Sequence, residues 1–255
     1  MKTFKHSGTL GDIIYALPIM KHFGGGGFYL HLNQIDWIGQ HYYGSKPSPF
    51  HQGRMTQGDL EFMREFMLAQ DYISKFEAMS PTTEITHNLD RFRPAFVGHP
   101  GNYVDLYANT FNLTDQELQT QLRNTAWLTV PSALTVPDRS VIINRTQRWL
   151  PKQLSQQWAA WKEQGLEKES VFVGLPEEYA AFKQATGWDI PYQPTKNLLE
   201  LAQYIAGCEQ FIGNQSVALS VAIGLGVDWA CEARDDMPLE RNECYFPVHP
   251  NGDYF

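Results

Sequence analysis

The residues best suited to chemistry stand in a short loop near the start of the chain, between Lys5 and Asp12. Gly8 and Gly11 permit a tight strand-to-helix turn there, and the free backbone amides at the start of a helix bind anions well. Asp12 lies at that helix start, where the helix dipole stabilises a carboxylate, so it is a candidate general base for a hydroxyl group. A helix cap with no catalytic part is the simpler explanation, because acids are common at helix starts.

A second loop of the same kind lies near the other end of the chain. Asn214, Gln215 and Ser216 follow an apolar pair and precede a helix of small residues. Helix-start amides together with the Ser216 hydroxyl form a physically sensible phosphate site. A capped core helix without any ligand is the alternative.

The elements that position the first loop follow from the hydrophobic pattern. Thr3–His6 is predicted to be a strand, and the spacing of Ile13, Leu17 and Met20 predicts the helix that follows. A second strand is predicted at Phe28–Leu32, after four glycines that end the helix. This is one strand–loop–helix–strand unit.

The same alternation returns after a proline-containing stretch at 131–138. A buried strand is predicted at Val141–Ile143, and further strands and helices alternate from there to Ala230. Helices of this length between strands predict parallel sheets. We therefore expect an α/β protein with two Rossmann-like halves, 1–130 and 139–255, with a cleft between them.

Three local predictions are specific enough to be checked. Thr114 is expected to cap the second of two helices between Tyr103 and Leu122. Pro151 is expected to open a helix, which places Lys152 on it. Residues 227–230 are expected to form the last strand.

Composition narrows the class of protein. The chain of 255 residues has 43% hydrophobic residues and a net charge of −8, which argues against broad attraction to nucleic acid. No stretch approaches the ~20 apolar residues that span a bilayer, so we expect a cytoplasmic protein without stable membrane insertion. A metal site is not expected, because neither the histidines nor the three cysteines have ligand spacing. P-loop, dinucleotide-binding and nucleophile-elbow motifs are absent.

The segment from Gly11 to Pro18 resembles the opening of the heptosyltransferase family. These GT-B glycosyltransferases move heptose from ADP-heptose onto lipopolysaccharide. The resemblance implies a GT-B fold, inverting transfer without a metal, and the role of general base for Asp12. Gly8, Thr9 and Gly11 are then expected to bind the donor, the first half being the acceptor side and the second the nucleotide-sugar side.

The loop at 214–216 is similar to the family's diphosphate loop, which has Gly-Asn-Asp-Ser-Gly and a histidine on the next helix. Gln215, Val217 and Ser220 stand here in place of the acid, the glycine and the histidine. Asn214 and Ser216 match, so we expect residues 214–216 to contact the donor.

Two weaker matches lie between these loops. Arg145, Thr146, Arg148 and Lys152 resemble the family's basic loop, whose cation neutralises the diphosphate leaving group. Cations at a strand end can do this without a metal, although a solvated turn is the alternative. Glu177, or the glutamate after it, resembles the acid near the ribose, and the helix dipole alone would also favour an acid there.

The resemblance yields three hypotheses. The first is a metal-independent inverting glycosyltransferase that needs no cofactor beyond its nucleotide-diphosphate sugar. The second is a nucleotide or nucleotide-sugar binding protein with a GT-B shell and no transfer. The third is glycosylation of modified bases in phage DNA, since short chains of this kind resemble phage-encoded glycosyltransferase-like proteins. The acceptor, the sugar and the oligomeric state stay open.

The stretch 36–102 is poorly patterned, and we expect acceptor specificity there. Its aromatic residues either stack on sugars or bases or belong to the core; with the residue just after the stretch they are Trp37, Tyr42, Tyr43, Phe50 and Tyr103.

Overall fold

A computed structural model of the chain describes residues 1–33, 55–92, 102–233 and 251–255. These residues form two compact units, one up to Trp127 and one from Leu128 onward. Each unit is built on a parallel sheet, so the predicted α/β class with two Rossmann-like halves is confirmed. The predicted aromatic residues Trp37, Tyr42, Tyr43 and Phe50 lie outside the described residues.

The first unit has a four-stranded sheet in the order β3-β2-β1-β4, with all pairs parallel. Its strands are β1 (Thr3–His6), β2 (Gly26–Leu30), β3 (Ile73–Ala78) and β4 (His87–Asn88). Its helices are α1 (Leu10–His22), α2 (Gln57–Leu68), α3 (Tyr103–Thr110) and α4 (Gln116–Asn124), with a 3-10 turn at Leu89–Arg91 after β4.

Burial alternates along the first strand of this sheet. Phe4 and His6 are fully buried, whereas Thr3 and Lys5 are partly exposed. Alternation of this kind is typical of a sheet with one well-covered face. Helix α1 is buried along most of its length and packs on α3, so the loop after β1 rests on a rigid layer.

The second unit has a six-stranded parallel sheet in the order β10-β9-β8-β5-β6-β7. Its strands are β5 (Val141–Asn144), β6 (Ser170–Val173), β7 (Tyr192–Gln193), β8 (Gln210–Asn214), β9 (Asp228–Glu232) and β10 (Gly252–Tyr254). Its helices are α5 (Gln157–Glu163), α6 (Pro176–Thr186), α7 (Leu198–Ala206) and α8 (Val217–Leu225), with a 3-10 turn at Leu166–Glu169.

The central strands of this second sheet are buried on both faces. Every residue of β5 and β6 is buried, as expected for short, continuous apolar runs in a parallel sheet. One face packs on an aromatic cluster around Trp158, whose ring lies edge-on to Phe182 at 5.3 Å and to Trp188 at 5.7 Å between centroids.

Two predicted helix starts are wrong. Helix α4 is capped by Asp115, whose carboxylate accepts the Leu118 amide at 2.8 Å, and not by Thr114. Helix α5 begins at Gln157 rather than at Pro151, because the Ser155 amide is held by the carboxylate of Glu232 at 3.4 Å. Lys152 therefore lies in the preceding turn and not on a helix.

The predicted strand at 227–230 is present, but it is not the last one. Strand β9 continues to Glu232, and β10 pairs beside it with Gly252 opposite Trp229. The three residues of β10 include a glycine and an aspartate, so no apolar run marks them in the sequence. Within the described ranges no helix combines the length and apolar character needed to cross a bilayer.

Candidate functional site

In both units the first strand lies at the point where the strand order reverses. Strand β1 has β2 on one side and β4 on the other, and β5 has β6 and β8 in the same way. Ligands of such sheets bind beyond the carboxyl ends of the strands at this reversal. The predicted site residues follow these ends: Gly8, Thr9, Gly11 and Asp12 after β1; Arg145, Thr146, Arg148 and Lys152 after β5; Glu177 after β6; Asn214, Gln215 and Ser216 after β8.

Asp12 lies in the first turn of α1, and only 6% of its surface is exposed. Its Oδ2 accepts the backbone N–H of the N-cap residue Thr9 at 3.2 Å. The carboxylate thus caps the helix, as the simpler explanation requires. The same bond also holds the carboxylate at the positive end of the helix dipole, where the anion is stabilised.

The two glycines of the loop have different reasons to be there. A Cβ on Gly8 would lie 2.5 Å from Cε1 of His6 and 2.9 Å from Oδ2 of Asp12, so only glycine fits. A Cβ on Gly11 would meet nothing within 4 Å. The open space therefore lies beside Gly11, at the amino end of α1.

Asp90, at the carboxyl end of β4, anchors the same loop. Its Oδ1 accepts both the amide and the hydroxyl of Ser7, each at 2.9 Å, and Oδ2 lies 3.6 Å from Nζ of Lys5. Asp90 is buried. The sequence analysis did not single it out, although it is an acid close to the end of a strand of the first sheet.

His6 and Tyr107 connect the two ends of the loop. The Gly8 amide donates to Nδ1 of His6 at 2.7 Å, so Nδ1 carries no proton and the ring is neutral. Nε2–H then donates to the Tyr107 hydroxyl at 2.6 Å, and that hydroxyl donates to the backbone carbonyl of Asp12 at 3.0 Å. Since Nδ1 is an acceptor, its 3.6 Å approach to Asp90 is not an ion pair.

Asn214 braces the loop of the second unit. Its Oδ1 accepts the Thr146 amide at 2.9 Å, and its Nδ2 donates to the carbonyls of Thr146 at 3.1 Å and Arg148 at 2.6 Å. Both ends of the side-chain amide are thus occupied by the loop after β5. The structure makes Asn214 a support for that loop.

Ser216 has an internal role as well. Its hydroxyl caps α8 by accepting the Leu219 amide at 3.4 Å, and it donates to Oδ1 of Asn144 at 3.3 Å. Asn144 in turn donates to the carbonyl of Val173 at the end of β6. Together the two asparagines and Ser216 tie the loops after β5, β6 and β8 to one another.

Arg145 forms a buried ion pair. Its Nε donates to Oε2 of Glu232 at 2.6 Å, and the two residues are 7% and 0% exposed. The other carboxylate oxygen accepts Nε1 of Trp158 at 2.9 Å. Glu232 stands at the carboxyl end of β9 and was missed in the sequence, where β9 was expected to end at Ala230.

Arg148 and Lys152 are exposed cations of the same loop. The Arg148 guanidinium lies 5.9 Å from the centre of the Trp149 ring. Trp149 has a φ of +57°, in the left-handed region that bulky side chains avoid. The Asn214 bond to the carbonyl of Arg148, directly before it, helps to hold this strained conformation.

The two adjacent glutamates of α6 differ in environment. Glu178 bonds back to the Leu175 amide at 3.2 Å, and burial raises its pKa despite that bond. Glu177 is exposed, and its carbonyl accepts the side chain of Gln147 at 3.4 Å. Glu177 therefore remains the candidate for the acid near the ribose, whereas Glu178 caps its helix.

Gln215 and Ser220, which replace family residues, are both buried. The Ser220 hydroxyl donates to the carbonyl of Val217 within α8 at 2.7 Å. The Ser220 hydroxyl therefore forms its hydrogen bond within α8. In the described parts of the chain, no group of three or more His, Cys, Asp or Glu side chains is arranged to hold a metal ion.

Solved structures show the same arrangement of strands and helices. A glycosyltransferase family 9 structure from Veillonella parvula DSM 2008 has a TM-score of 0.65, covering 99% of this chain and 84% of its own at 12% identity. The chain has a GT-B glycosyltransferase fold. The heptosyltransferase-like fold implied by Gly11 to Pro18 is therefore confirmed.

Two heptosyltransferases share this GT-B fold. TibC from enterotoxigenic E. coli, described as iron-containing and dodecameric and solved with ADP-D-β-D-heptose, has a TM-score of 0.51 over 98% of this chain at 12% identity. The match spans 62% of the TibC chain. E. coli ADP-heptose LPS heptosyltransferase II has a TM-score of 0.51 over 100% of this chain and 90% of its own at 10% identity. The sequence matches no protein-family model and no curated protein.

Proposed function

We propose that this protein is a glycosyltransferase that transfers a sugar from a nucleotide-diphosphate sugar to an acceptor hydroxyl. The observation that carries the proposal is the placement of opposite charges at two equivalent points of a GT-B fold. A carboxylate, Asp12, stands beyond β1, and exposed cations, Arg148 and Lys152, stand beyond β5.

The second unit is the proposed donor site. The start of α8 offers backbone amides, and helix starts of this kind bind phosphate. Arg148 supplies a charge with a planar fork that matches phosphate oxygens. Its backbone is fixed by Asn214, so the cation is presented from a rigid turn. Arg145 is paired with Glu232, and we assign it to the support of the loop.

The first unit is the proposed acceptor side. Asp12 takes the proton of the acceptor hydroxyl as that oxygen attacks the anomeric carbon, and the nucleoside diphosphate leaves with its negative charge held by Arg148 and the α8 amides. Attack from the side opposite the leaving group inverts the anomeric centre. Electrostatic stabilisation by fixed cations and amides does the work that a metal does elsewhere. Glu177, exposed after β6, is proposed to contact the ribose.

A thermal-shift screen of nucleotides and nucleotide-sugars tests the donor site. A ligand at ~100 times its Kd stabilises the folded protein by about 2.7 kcal/mol, which raises the Tm. We expect Arg148→Ala to lose this shift. Lys168→Ala is the matched control, because Lys168 is an exposed cation of the same unit that lies before β6, at the amino ends of the strands and away from the proposed site at their carboxyl ends. The proposed site is contradicted if the wild type, Arg148→Ala and Lys168→Ala show the same rise in Tm, or if no ligand raises the Tm of the wild type.

One observation favours binding without transfer. Ser220 stands where the family has a histidine, and its hydroxyl is buried and bonded within α8. A donor bound here lacks that contact. The two functions differ in their dependence on Asp12: turnover of the stabilising nucleotide-sugar that Asp12→Asn abolishes establishes transfer, whereas tight binding with no turnover establishes the binding protein.

A further inference from the structure

The loop before α1 is closed by a chain of three hydrogen bonds through two side chains. It runs from the Gly8 amide to His6, from His6 to Tyr107, and from Tyr107 to the carbonyl of Asp12. His6 belongs to β1 and Tyr107 to α3. These bonds thus connect both ends of the Gly8–Asp12 turn to β1 and α3.

Packing of the core alone does not require two polar side chains at positions 6 and 107. Both His6 and Tyr107 are 0% exposed, and burying polar groups is costly unless each is bonded. A phenylalanine at position 107 would keep the ring contact with Phe92, whose centroid lies 4.1 Å away, and would lose only the two hydrogen bonds of the hydroxyl. Fully bonded polar networks of this kind specify one geometry.

We propose that His6 and Tyr107 are positioning residues that hold Asp12 in the orientation in which its carboxylate takes the acceptor proton. The proposal rests on the proposed function for the role of Asp12. Its physical basis is the sensitivity of proton transfer to geometry, because a misplacement of ~1 Å costs about 100-fold in rate. Asp90 complements the chain by holding Ser7 at the end of β1.

The test compares Tyr107→Phe with Tyr72→Phe. Tyr72 is a matched control, because its hydroxyl also donates to a backbone carbonyl in the first unit, that of Trp127 at 2.8 Å. Each variant keeps its ring; Tyr107→Phe loses the hydroxyl's bonds to His6 and to the Asp12 carbonyl, and Tyr72→Phe loses its one bond to Trp127. A merely structural role of Tyr107 predicts the same behaviour for both.

The first readout needs no substrate. Amide hydrogen exchange at Gly8, followed by NMR, reports whether His6 still accepts that amide. We expect exchange at Gly8 to accelerate about tenfold or more in Tyr107→Phe and to stay unchanged in Tyr72→Phe, since a network loses more than one bond when one member is removed. Equal exchange rates in the two variants overturn the proposal.

The second readout is turnover of the nucleotide-sugar found in the thermal screen. We expect Tyr107→Phe to lower kcat by about 10- to 100-fold with donor KM unchanged, and to have no further effect in an Asp12→Asn background. The same loss in both backgrounds means that Tyr107 does not act through Asp12 and overturns the proposal. If the wild type turns over no nucleotide-sugar, the proposed transfer fails, and the Gly8 exchange alone decides whether the chain holds the loop.

Discussion

The loops after β1 and after β5 occupy equivalent places in the two sheets, yet different chemistry holds them. The loop after β1 is fixed by the side chains of His6, Tyr107 and Asp90. The loop after β5 is fixed by the amides of Asn144 and Asn214. The loop after β5 is thus held by neutral amides together with the ion pair of Arg145 and Glu232, whereas the loop that carries Asp12 is held by an imidazole, a phenol and a carboxylate.

The loop after β5 also contains two kinds of charged side chain, one buried in an ion pair and one exposed to solvent. Arg145 is buried against Glu232, whereas Arg148 three residues later is exposed. A buried paired cation fixes structure, and an exposed one on a rigid turn is available to a ligand. The same distinction separates Glu178 from Glu177 on α6. The following substitutions break or sharpen these contrasts.

Asp12→Asn is expected to have the largest effect. Asparagine still accepts the Thr9 amide, so the helix cap is kept while the base is lost. General bases contribute about 10²- to 10⁴-fold to rate, and we expect a loss of that size in kcat. Donor binding, measured by thermal shift, should be unchanged. A rate within threefold of the wild type would assign Asp12 to capping alone.

Glu232→Leu tests the buried pair. Removing one partner of a buried ion pair costs about 3–5 kcal/mol, because the other charge stays buried without compensation. Urea unfolding measures this loss, and the double variant with Arg145→Met should recover much of it. Asp189→Leu, which breaks an exposed pair with Lys183, is the control and should leave stability unchanged. Similar stability of both single variants would refute the assignment of Arg145 to the support of the loop.

Asn214→Ala is expected to cost about 1–3 kcal/mol, the usual penalty for leaving buried partners unsatisfied. It should also abolish the ligand-induced thermal shift, because the turn that presents Arg148 loses its four bonds to Asn214. Asn197→Ala removes a helix-capping asparagine elsewhere in the unit. That control should lose about 1 kcal/mol and keep the thermal shift. A retained shift in Asn214→Ala would show that the brace is not needed for binding.

The smallest effects concern the two glycines of the first loop. Gly8→Ala should destabilise by about 1–3 kcal/mol, because its methyl group meets His6 and Asp12. Gly11→Ala should stabilise by about 0.5–1 kcal/mol, since α1 has open space there and alanine favours a helix. Denaturant unfolding measures both, and the same sign for both changes would contradict the geometry of the turn.

Much of the fold was predictable because its signals are local. Continuous apolar runs such as Val141–Ile143 mark buried parallel strands, and helix spacing marks α1. The strand order, and with it the reversal points, depends on pairing between distant segments. Strands β7 and β10 have two and three residues, and their neighbours in the sheet define them rather than their own pattern.

The candidate site divides in the same way. Gly8, Gly11 and Asp12 form one contiguous motif and were predictable. Tyr107 contacts His6 across 101 residues, and Glu232 contacts Arg145 across 87. No spacing rule connects such pairs in a single sequence. The sequence therefore identified which residues follow the strands and not which of them are already paired.

Strand β10 ties the folding of the second unit to residues 251–255, which follow β9 late in the sequence. Phe255 bonds through its backbone to Cys231 and Ala233, and its ring packs on Trp161 at 4.6 Å between centroids. During synthesis the other strands of this sheet leave the ribosome before β10, so β9 at first lacks its outer neighbour. The edge of β9 therefore stays unpaired until residues 251–255 have been synthesised, and a variant that lacks these residues would leave that edge open to other chains.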